Sequence, residues 1–212
     1  MKYTCVAWDF NGTIMDDVKI GIESVNVLLE KRGLKTLESR EEYQRVFGFP
    51  IIDYYRRLGF DFEIEPYEEI AVEWVNEYTA REKTACTVDG VRELLNEFKC
   101  KGFRQIIISA CEQEMLERNL KMLGVADFFD EICGIDNIYA SSKVEIARGW
   151  KTRNPSEKVL FIGDTDHDLS AAEAMEADCI LVAAGHQSYE SLCERSLGAK
   201  VFKSMKEVKG VC

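Results

Sequence analysis

Five short apolar runs, separated by longer amphipathic stretches, constrain the fold of this chain more than any other feature. Two of them, QIIIS at residues 105–109 and VLFIG at residues 159–163, are apolar on both faces of the strand that they would form. Such runs are typical of parallel strands that helices cover on both sides, and their alternation with helices predicts a doubly wound α/β core. The predicted strands are residues 3–10, 104–109, 131–134, 159–163 and 179–183, and the predicted core helices are residues 91–101, 112–123, 142–151 and 168–177.

A long segment after the first predicted strand departs from this alternation, because it contains only helical patterns. A crossover between parallel strands needs about a dozen residues, so this segment is far too long for one. We therefore predict an all-helical subdomain at residues 16–86, inserted into an α/β core that consists of residues 1–15 and 87–212. The predicted helices of the subdomain are residues 18–31, 40–46, 51–58 and 65–83.

The charge balance and the cysteines indicate which partners and which cellular compartment to expect. The chain carries 27 Lys and Arg against 38 Asp and Glu, a net charge of −11, whereas nucleic-acid and anionic-membrane binders need a basic face. None of the eight cysteines has a C-x-x-C or zinc-ligand spacing, and no apolar run reaches the roughly 20 residues of a membrane span. No secretion signal precedes the first strand, so we expect a cytoplasmic protein with free thiols, no membrane association and no nucleic-acid partner. No pattern indicates an oligomeric state.

Polar side chains follow the predicted strands at their carboxyl ends. Asp9 belongs to the end of the first strand, Ser109 ends the second, and Asp164 follows the fourth. Ligands of open parallel sheets bind beyond this edge, so we expect these groups to meet there, together with Lys143 from the helix after the third strand. Converging carboxylates repel each other unless a cation joins them, and oxygen ligands together with a substrate phosphate suit Mg²⁺. The pattern therefore predicts a crevice for Mg²⁺ and a phosphorylated small molecule.

Four short motifs at these positions occur in a fixed order. They are DFNGT at residues 9–13, IIIS ending at Ser109, SSKVEIA containing Lys143, and GDTDHD at residues 163–168. In these motifs, and in the helical segment after the first of them, the chain resembles the haloacid dehalogenase superfamily, especially its phosphoglycolate phosphatase-like branch. The resemblance covers essentially the whole chain. It implies a Mg²⁺-dependent phosphohydrolase of small phosphorylated metabolites in which residues 16–86 form a helical cap.

The resemblance also implies a role for each matching residue. Asp9 would be the nucleophile that carries an aspartyl-phosphate. The ligands of Mg²⁺ would be the carboxylates of Asp9 and Asp164 and the backbone carbonyl of Asn11, and Asp168 would hold a metal-bound water or a neighbouring ligand. The residues that position the phosphoryl group would be Gly12, Thr13, Ser109 and Lys143. The implied catalytic set is Asp9, Asn11, Ser109 and Lys143.

The first motif departs from the family pattern at Asn11, where the family has the Asp that acts as general acid and base. An amide has no titratable proton, so it cannot fill that role, although its backbone carbonyl could still bind metal. Loss of general acid–base catalysis costs about 10²–10⁴ in rate, or about 2.7–5.5 kcal/mol of barrier. Alkyl phosphates would suffer most, because an alkoxide leaves badly. Acyl phosphates, aryl phosphates and anhydrides would suffer less.

Asn11 leaves several interpretations of the function open. We favour an active hydrolase with weaker or narrower activity. The others are an engineered trap for the aspartyl-phosphate, a phosphate-ligand-binding regulatory protein without turnover, and partial deamidation of Asn11 to an acid. A phospho-acceptor domain of the response-regulator type is disfavoured by the long helical segment, and a dehalogenase by Asp164 and Asp168, which imply a metal that such enzymes lack.

Two histidines, two arginines and two further acids are secondary candidates. His167 lies in the fourth motif and His186 follows the fifth strand. Either could donate a proton in place of the missing acid, although we predict both as polar loop residues. Arg45 or Arg56 could meet a substrate anion from the helical segment, and packing is an equal alternative. We predict that Asp17, together with Asp16 beside it, forms an N-cap and first-turn acid pair that complements the dipole of the first helix of that segment.

Overall fold

The computed structural model describes residues 2–135 and 143–210, and a six-stranded sheet lies at its centre. In chain order the strands are β1 (Cys5–Trp8), β2 (Met15–Asp16), β3 (Cys86–Thr87), β4 (Arg104–Glu112), β5 (Glu131–Ile135), β6 (Val159–Gly163), β7 (Asp178–Val182) and β8 (Lys200–Phe202). The sheet has the order β5-β4-β1-β6-β7-β8, and all its neighbouring strands run parallel. The chain adds strands on one side of β1 and then on the other, so the predicted doubly wound α/β fold is confirmed.

The first eight described helices lie close to their predicted positions and differ mainly at their ends, whereas the ninth was not predicted. They are α1 (Val18–Lys31), α2 (Arg40–Val46), α3 (Ile51–Arg57), α4 (Tyr67–Arg81), α5 (Val91–Cys100), α6 (Gln113–Leu123), α7 (Lys143–Arg153), α8 (Asp166–Ala174) and α9 (Tyr189–Arg195). The bounds of α1 and α2 are as predicted, but α4 is shorter because Pro66 directly precedes it and a 3₁₀ turn follows it. α8 begins before the predicted residue 168, because Asp168 accepts the backbone N–H of Thr165 in a capping box. The predicted start of α7 at residue 142 lies outside the described residues.

Side chains of the central strands alternate between two buried faces. On β1, Val6 and Trp8 belong to one apolar cluster, whereas Cys5 and Ala7 belong to a cluster on the opposite face. β6 divides in the same way between the two clusters. A strand with both faces buried has no position that favours a polar side chain, which explains why the runs at β4 and β6 are continuously apolar.

The thiols of the described part of the chain agree with the expectation from composition. All seven cysteines that the structure describes are free, and Cys212 lies outside the described residues. The buried thiol of Cys5 packs as a small apolar group inside the sheet. No described helix combines the length and the apolar character that crossing a bilayer requires.

Helices α1 to α4 form an apolar cluster of their own between β2 and β3, and we call residues 17–85 the helical insertion. Buried members of this cluster come from α1, α3 and α4, among them Leu28, Tyr54 and Ile70. β2 and β3 pair antiparallel, so the chain leaves the core and returns to it at neighbouring positions. No strand occurs within residues 17–85, which are all described, but the two ends of the predicted helical segment, Asp16 and Cys86, belong to β2 and β3. That residues 16–86 are a separate subdomain stays a prediction.

Removal of the Phe98 ring tests the packing beside β1. This ring is completely buried and lies 5.8 Å from the ring of Trp8, so Phe98→Ala leaves a cavity. We expect the substitution to lower the free energy of unfolding by about 3–5 kcal/mol, measured by urea denaturation. The control, Ile64→Ala, changes a side chain that is 82% exposed and should change that free energy by less than about 0.5 kcal/mol. Equal effects of the two substitutions would contradict the packing.

Candidate active site

The carboxyl ends of β4, β1 and β6 lie side by side and place polar residues next to one another. Asp9 follows β1 and continues its ladder, because its N–H donates to the carbonyl oxygen of Ile162 at 2.9 Å. Ser109 lies in β4, Asp164 follows β6, and both are almost completely buried. Together with Lys143 at the start of α7, these residues line one cavity. The structure thus brings together the groups that the strand ends predicted to meet.

The Lys143 ammonium group lies between two carboxylates. It is 3% exposed and donates hydrogen bonds to Oδ1 of Asp9 and to Oδ1 of Asp168. Burial alone would lower the pKa of Lys143, but the charges of Asp168 and Asp9 hold it above its usual range. Burial would raise the pKa of Asp168, but Lys143 holds it below its usual range. For Asp9 burial prevails, and its pKa lies well above the usual value although Lys143 opposes the shift.

Three buried carboxylates form an acid cluster that fits a divalent cation. Oxygens of Asp9, Asp164 and Asp168 lie within 4.8 Å of one another. Burial also raises the pKa of Asp164, to about 6. Three acids with one lysine leave excess negative charge where water is largely excluded, and buried charge is costly unless it is compensated. A cluster of oxygen donors with this shortage of positive charge suits Mg²⁺.

Two hydrogen bonds hold the Asp164 carboxylate in place, and the absence of a side chain at Gly12 leaves room for it. The Thr13 hydroxyl donates to Oδ1 at 3.0 Å, and the backbone N–H of His186 donates to Oδ2 at 2.6 Å. A Cβ at Gly12 would lie 2.3 Å from Asp164 Oδ2, and the φ of +76° at this residue also favours glycine. Gly12 and Thr13 are therefore supports of Asp164 in this structure, and neither is among the residues that line the cavity.

Asn11 belongs to a network with Asp17 and Tyr78 that the sequence analysis missed. Its amide donates to Asp17 Oδ2 at 2.7 Å and to the Tyr78 hydroxyl at 2.9 Å, and Tyr78 donates to the same Oδ2 at 2.8 Å. Asp17 lies at the N-cap position of α1, as predicted, but its side chain makes no capping bond, and Asp16 lies in β2 rather than in the first turn of the helix. An amide at residue 11 suits the Asp17 carboxylate, whereas a second ionised acid there would repel it.

His186 follows β7 in a loop, as predicted, but it is buried inside the site. Nδ1 lies 2.7 Å from the Tyr43 hydroxyl, and Nε2 lies 3.3 Å from Asp17 Oδ1. Burial would lower its pKa, but the charge of Asp17 raises the pKa of His186 to about 9. Tyr43 is 143 positions away in the chain, so no local pattern indicated this contact. His167 lies in α8 rather than in a loop and stacks on Phe49 at 4.3 Å, and burial lowers its pKa.

A cavity of about 200 Å³ separates Asp9 from the helical insertion. Its wall on the insertion side consists mainly of aromatic side chains. Arg45 and Arg56, which the sequence suggested for a substrate anion, are not among the lining residues. Arg45 donates to the carbonyl oxygen of Glu41 at 3.2 Å, and Arg56 to Asp53 Oδ1 at 2.6 Å. The alternative of local packing therefore applies to both arginines.

Comparisons with known proteins define the class of this chain. Residues 6–182 match the family of haloacid dehalogenase-like hydrolases. The pyrophosphatase PpaX of Halalkalibacterium halodurans is 24% identical over 184 residues, which cover 80% of this chain and 78% of that protein. The phosphoglycolate phosphatase of Pseudomonas fluorescens is 23% identical over 201 residues, which cover 90% and 73%. Protein tyrosine kinase A of Mycobacterium tuberculosis shares the fold, with a TM-score of 0.82, 22% identity and coverage of 99% and 97%.

The chain therefore belongs to the haloacid dehalogenase-like hydrolases. The match spans well over half of the sequence, from β1 to the end of β7, so it includes the three central strands that carry Asp9, Ser109 and Asp164. The predicted family and the prediction of an enzyme of this family are both confirmed. Within the family, the chain is similar to members that are named pyrophosphatase and phosphoglycolate phosphatase.

Cation binding by the acid cluster would have a measurable effect on thermal stability. A ligand that binds only the folded protein stabilises it by about 2.7 kcal/mol at 100 times its dissociation constant. We expect saturating Mg²⁺ to raise the Tm of the protein, and Asp164→Asn to abolish most of that increase in calorimetry. The control is Asp89→Asn, at an exposed carboxylate paired with Lys206, which should keep the full increase. A full increase in Asp164→Asn would exclude this carboxylate as a ligand.

Proposed function

We propose that the protein is a Mg²⁺-dependent phosphohydrolase of a small phosphorylated metabolite and that it acts through an aspartyl-phosphate on Asp9. The observation that carries this proposal is the environment of Asp9, a buried carboxylate that is paired with Lys143 and borders a cavity. Membership of a hydrolase family, and similarity to relatives named phosphatase and pyrophosphatase, support the same reaction class.

In the proposed reaction, the phosphoryl group passes from the substrate to Asp9 and then to water. A carboxylate oxygen of Asp9 forms a bond to phosphorus while the ester P–O bond breaks, and the leaving oxygen takes the electron pair. Water then attacks the same phosphorus, which releases inorganic phosphate and restores the carboxylate. Lys143 would hold a phosphoryl oxygen by its charge. Ser109 Oγ accepts the N–H of Cys111 at 3.0 Å, so its own hydrogen is available to another phosphoryl oxygen.

The acid cluster would hold the metal. Its ligands would be Asp9, Asp164 and the backbone carbonyl of Asn11, with Asp168 beside them. When bound, Mg²⁺ would offset negative charge on the phosphoryl group and on the carboxylates. The raised pKa values of Asp9 and Asp164, both caused first by burial, support a need for such a charge at this place.

We also propose that residues 16–86 act as a cap over Asp9. The aromatic wall of the cavity belongs to the helical insertion, and the β2–β3 pair lies where the insertion joins the core. A cap that closes over substrate excludes bulk water and completes the site. The metabolite would be a small-molecule partner in the cytoplasm, and the net charge of −11 disfavours nucleic acid.

Asn11 makes slow or restricted turnover the expected outcome. Its amide is a hydrogen-bond donor to Asp17 and has no proton to transfer to a leaving alkoxide. The Asn11 amide donates to the Asp17 carboxylate, so the surroundings of residue 11 suit an amide better than an acid. The same observation favours a second candidate function, a phosphate-ligand-binding regulatory protein of this fold in which catalysis is impaired.

An exchange of the amide and the carboxylate separates these two functions. In Asn11→Asp/Asp17→Asn, an acid stands at residue 11 and an amide can donate to it. We expect kcat/KM for an alkyl phosphate such as ethyl phosphate to rise by about 10²-fold or more, because a proton donor is restored. In Asn11→Asp alone, kcat/KM should rise less and the unfolding temperature should fall. Asn11 Nδ2 lies 2.7 Å from Asp17 Oδ2, so the substitution would bring two carboxylates into contact.

The matched control for this exchange is Asp16→Asn, at the exposed acid directly before Asp17. It should leave turnover and unfolding temperature unchanged. Absence of turnover with every phosphate tried, in the wild type and in the exchanged variant, would favour the regulatory protein over the hydrolase.

The aspartyl-phosphate itself can be observed directly. Acetyl phosphate needs little help from a general acid, whereas hydrolysis of the phosphoenzyme lacks the base that an Asp at residue 11 would provide. We therefore expect a phosphoryl adduct on Asp9 after incubation with acetyl phosphate and Mg²⁺, detected by intact mass and peptide mapping. Asp9→Asn should not form it. An adduct on another residue would contradict the assignment of the nucleophile.

A further inference from the structure

One wall of the cavity beside Asp9 is a face of α4. Ala71, Trp74, Val75 and Tyr78 recur at the spacing of one helix face and all line the cavity. The Trp74 ring stacks on the Tyr78 ring at 4.9 Å, and the Tyr78 hydroxyl is bonded to Asp17. This wall therefore offers carbon surface and ring faces to whatever occupies the cavity.

The facing wall is aromatic as well. Phe47 stacks on the His186 ring at 4.9 Å, and Phe49 stacks on the His167 ring at 4.3 Å. The ring of Tyr54 lies 5.3 Å from that of Phe47, and it too lines the cavity. Aromatic groups in a pocket of this kind pack favourably against a further ring, by offset stacking or edge-to-face contact.

The charges around the cavity do not suit a second anion. Lys143 is the single Lys or Arg among the described residues that line it, and Asp9 and Asp168 already engage its ammonium group. Asp17 faces the charge of His186. Glu112, a further lining residue, caps α6 with its carboxylate. A carboxylate or a second phosphate on the leaving group would find no free cation there.

We propose that this cavity holds the aryl group of an aryl phosphate, a group that carries no ionised substituent and whose ring lies between the α4 face and Phe47. The proposal rests on the phosphohydrolase function and names its substrate class. A cavity of about 150 Å³ accepts benzene. The cavity beside Asp9 has a volume of about 200 Å³, which suits one aromatic ring. Asn11 fits the same substrate. When the P–O bond to Asp9 forms and the ester bond breaks, a phenolate carries off the electron pair without a proton donor and takes its proton from water afterwards.

Binding of phosphonates tests the cavity without any turnover. Phenylphosphonate and methylphosphonate share the charged group and differ in the ring, and phosphonoacetate adds a second anion. By titration calorimetry of the full chain with Mg²⁺, we expect phenylphosphonate to bind at least tenfold more tightly than either of the others. Equal affinity for phenylphosphonate and methylphosphonate, or preference for phosphonoacetate, would overturn the proposal.

Two neighbouring residues of α4 give a matched pair of variants. Ala71→Phe places a ring inside the cavity, and we expect it to abolish the preference for phenylphosphonate. Val72→Phe adds the same ring at a side chain that is 44% exposed and does not line the cavity, so the preference should persist. Loss of the preference in both variants, or in neither, would overturn the proposal. If Ala71→Phe does not fold, Val75→Arg replaces it and should shift the preference towards phosphonoacetate.

Hydrolysis assays distinguish a wrong substrate class from a wrong reaction class. Phenyl phosphate and cyclohexyl phosphate have leaving groups of similar size, but only phenolate leaves readily without an acid, so we expect phenyl phosphate to be hydrolysed at least 10²-fold faster. Preference for phenylphosphonate without hydrolysis of any ester would support the cavity assignment and contradict the phosphohydrolase. Hydrolysis of alkyl phosphates, or of esters with a second anionic group on the leaving group, in preference to phenyl phosphate would overturn the aryl class and leave the phosphohydrolase supported.

Discussion

The site depends on the ion group in which Lys143 bridges Asp9 and Asp168. Buried charges are stable only when they are paired and hydrogen-bonded, so the three side chains constrain one another. Asp9 is held at the end of β1 by the ladder to β6, Asp168 belongs to the first turn of α8, and Lys143 begins α7. The ion group therefore joins the sheet to α7, which follows the edge strand β5, and to α8, which follows the central strand β6. The negative charge that Lys143 leaves uncompensated makes the same place suitable for a divalent cation.

A second network joins the helical insertion to the core. Tyr43 and Tyr78 come from the insertion, and their hydroxyls meet His186 and Asp17 at the edge of the site. Asn11, the residue at which the sequence predicts a departure from the family pattern, is hydrogen-bonded to the same Asp17 and Tyr78. Asn11 is thus part of a local set of matched donors and acceptors. The aromatic wall of the cavity beside Asp9 and the absence of a titratable proton on Asn11 both support the proposed chemistry, in which the leaving group needs apolar contact more than it needs a proton.

The sequence predicted the fold more completely than the site, for physical reasons. The strand at residues 159–163 was predicted with its observed bounds because burial on both faces leaves one continuous apolar run. Asp9 and Asp164 were predicted to meet because parallel strands carry their carboxyl ends to one edge whatever the loops between them do. Asp17 was misread as a cap because the Asn11 amide and the Tyr78 hydroxyl compete for its side chain, and that competition exists only in three dimensions. His186 was undervalued because its partner Tyr43 is 143 positions away.

The sequence by itself determined the alternation of five core strands with helices, the helical segment after the first strand, the family, and the positions of the acids and the lysine that meet at the sheet edge. These features follow from local patterning and from the geometry of a parallel sheet, which needs no knowledge of long-range contacts. Only the tertiary structure decided which side chains line the cavity beside Asp9. The face of α4 and Phe47 close the cavity, whereas Arg45 and Arg56 lie outside it. That outcome depends on how the insertion packs over the core, and packing between distant segments leaves no periodic signal in either of them.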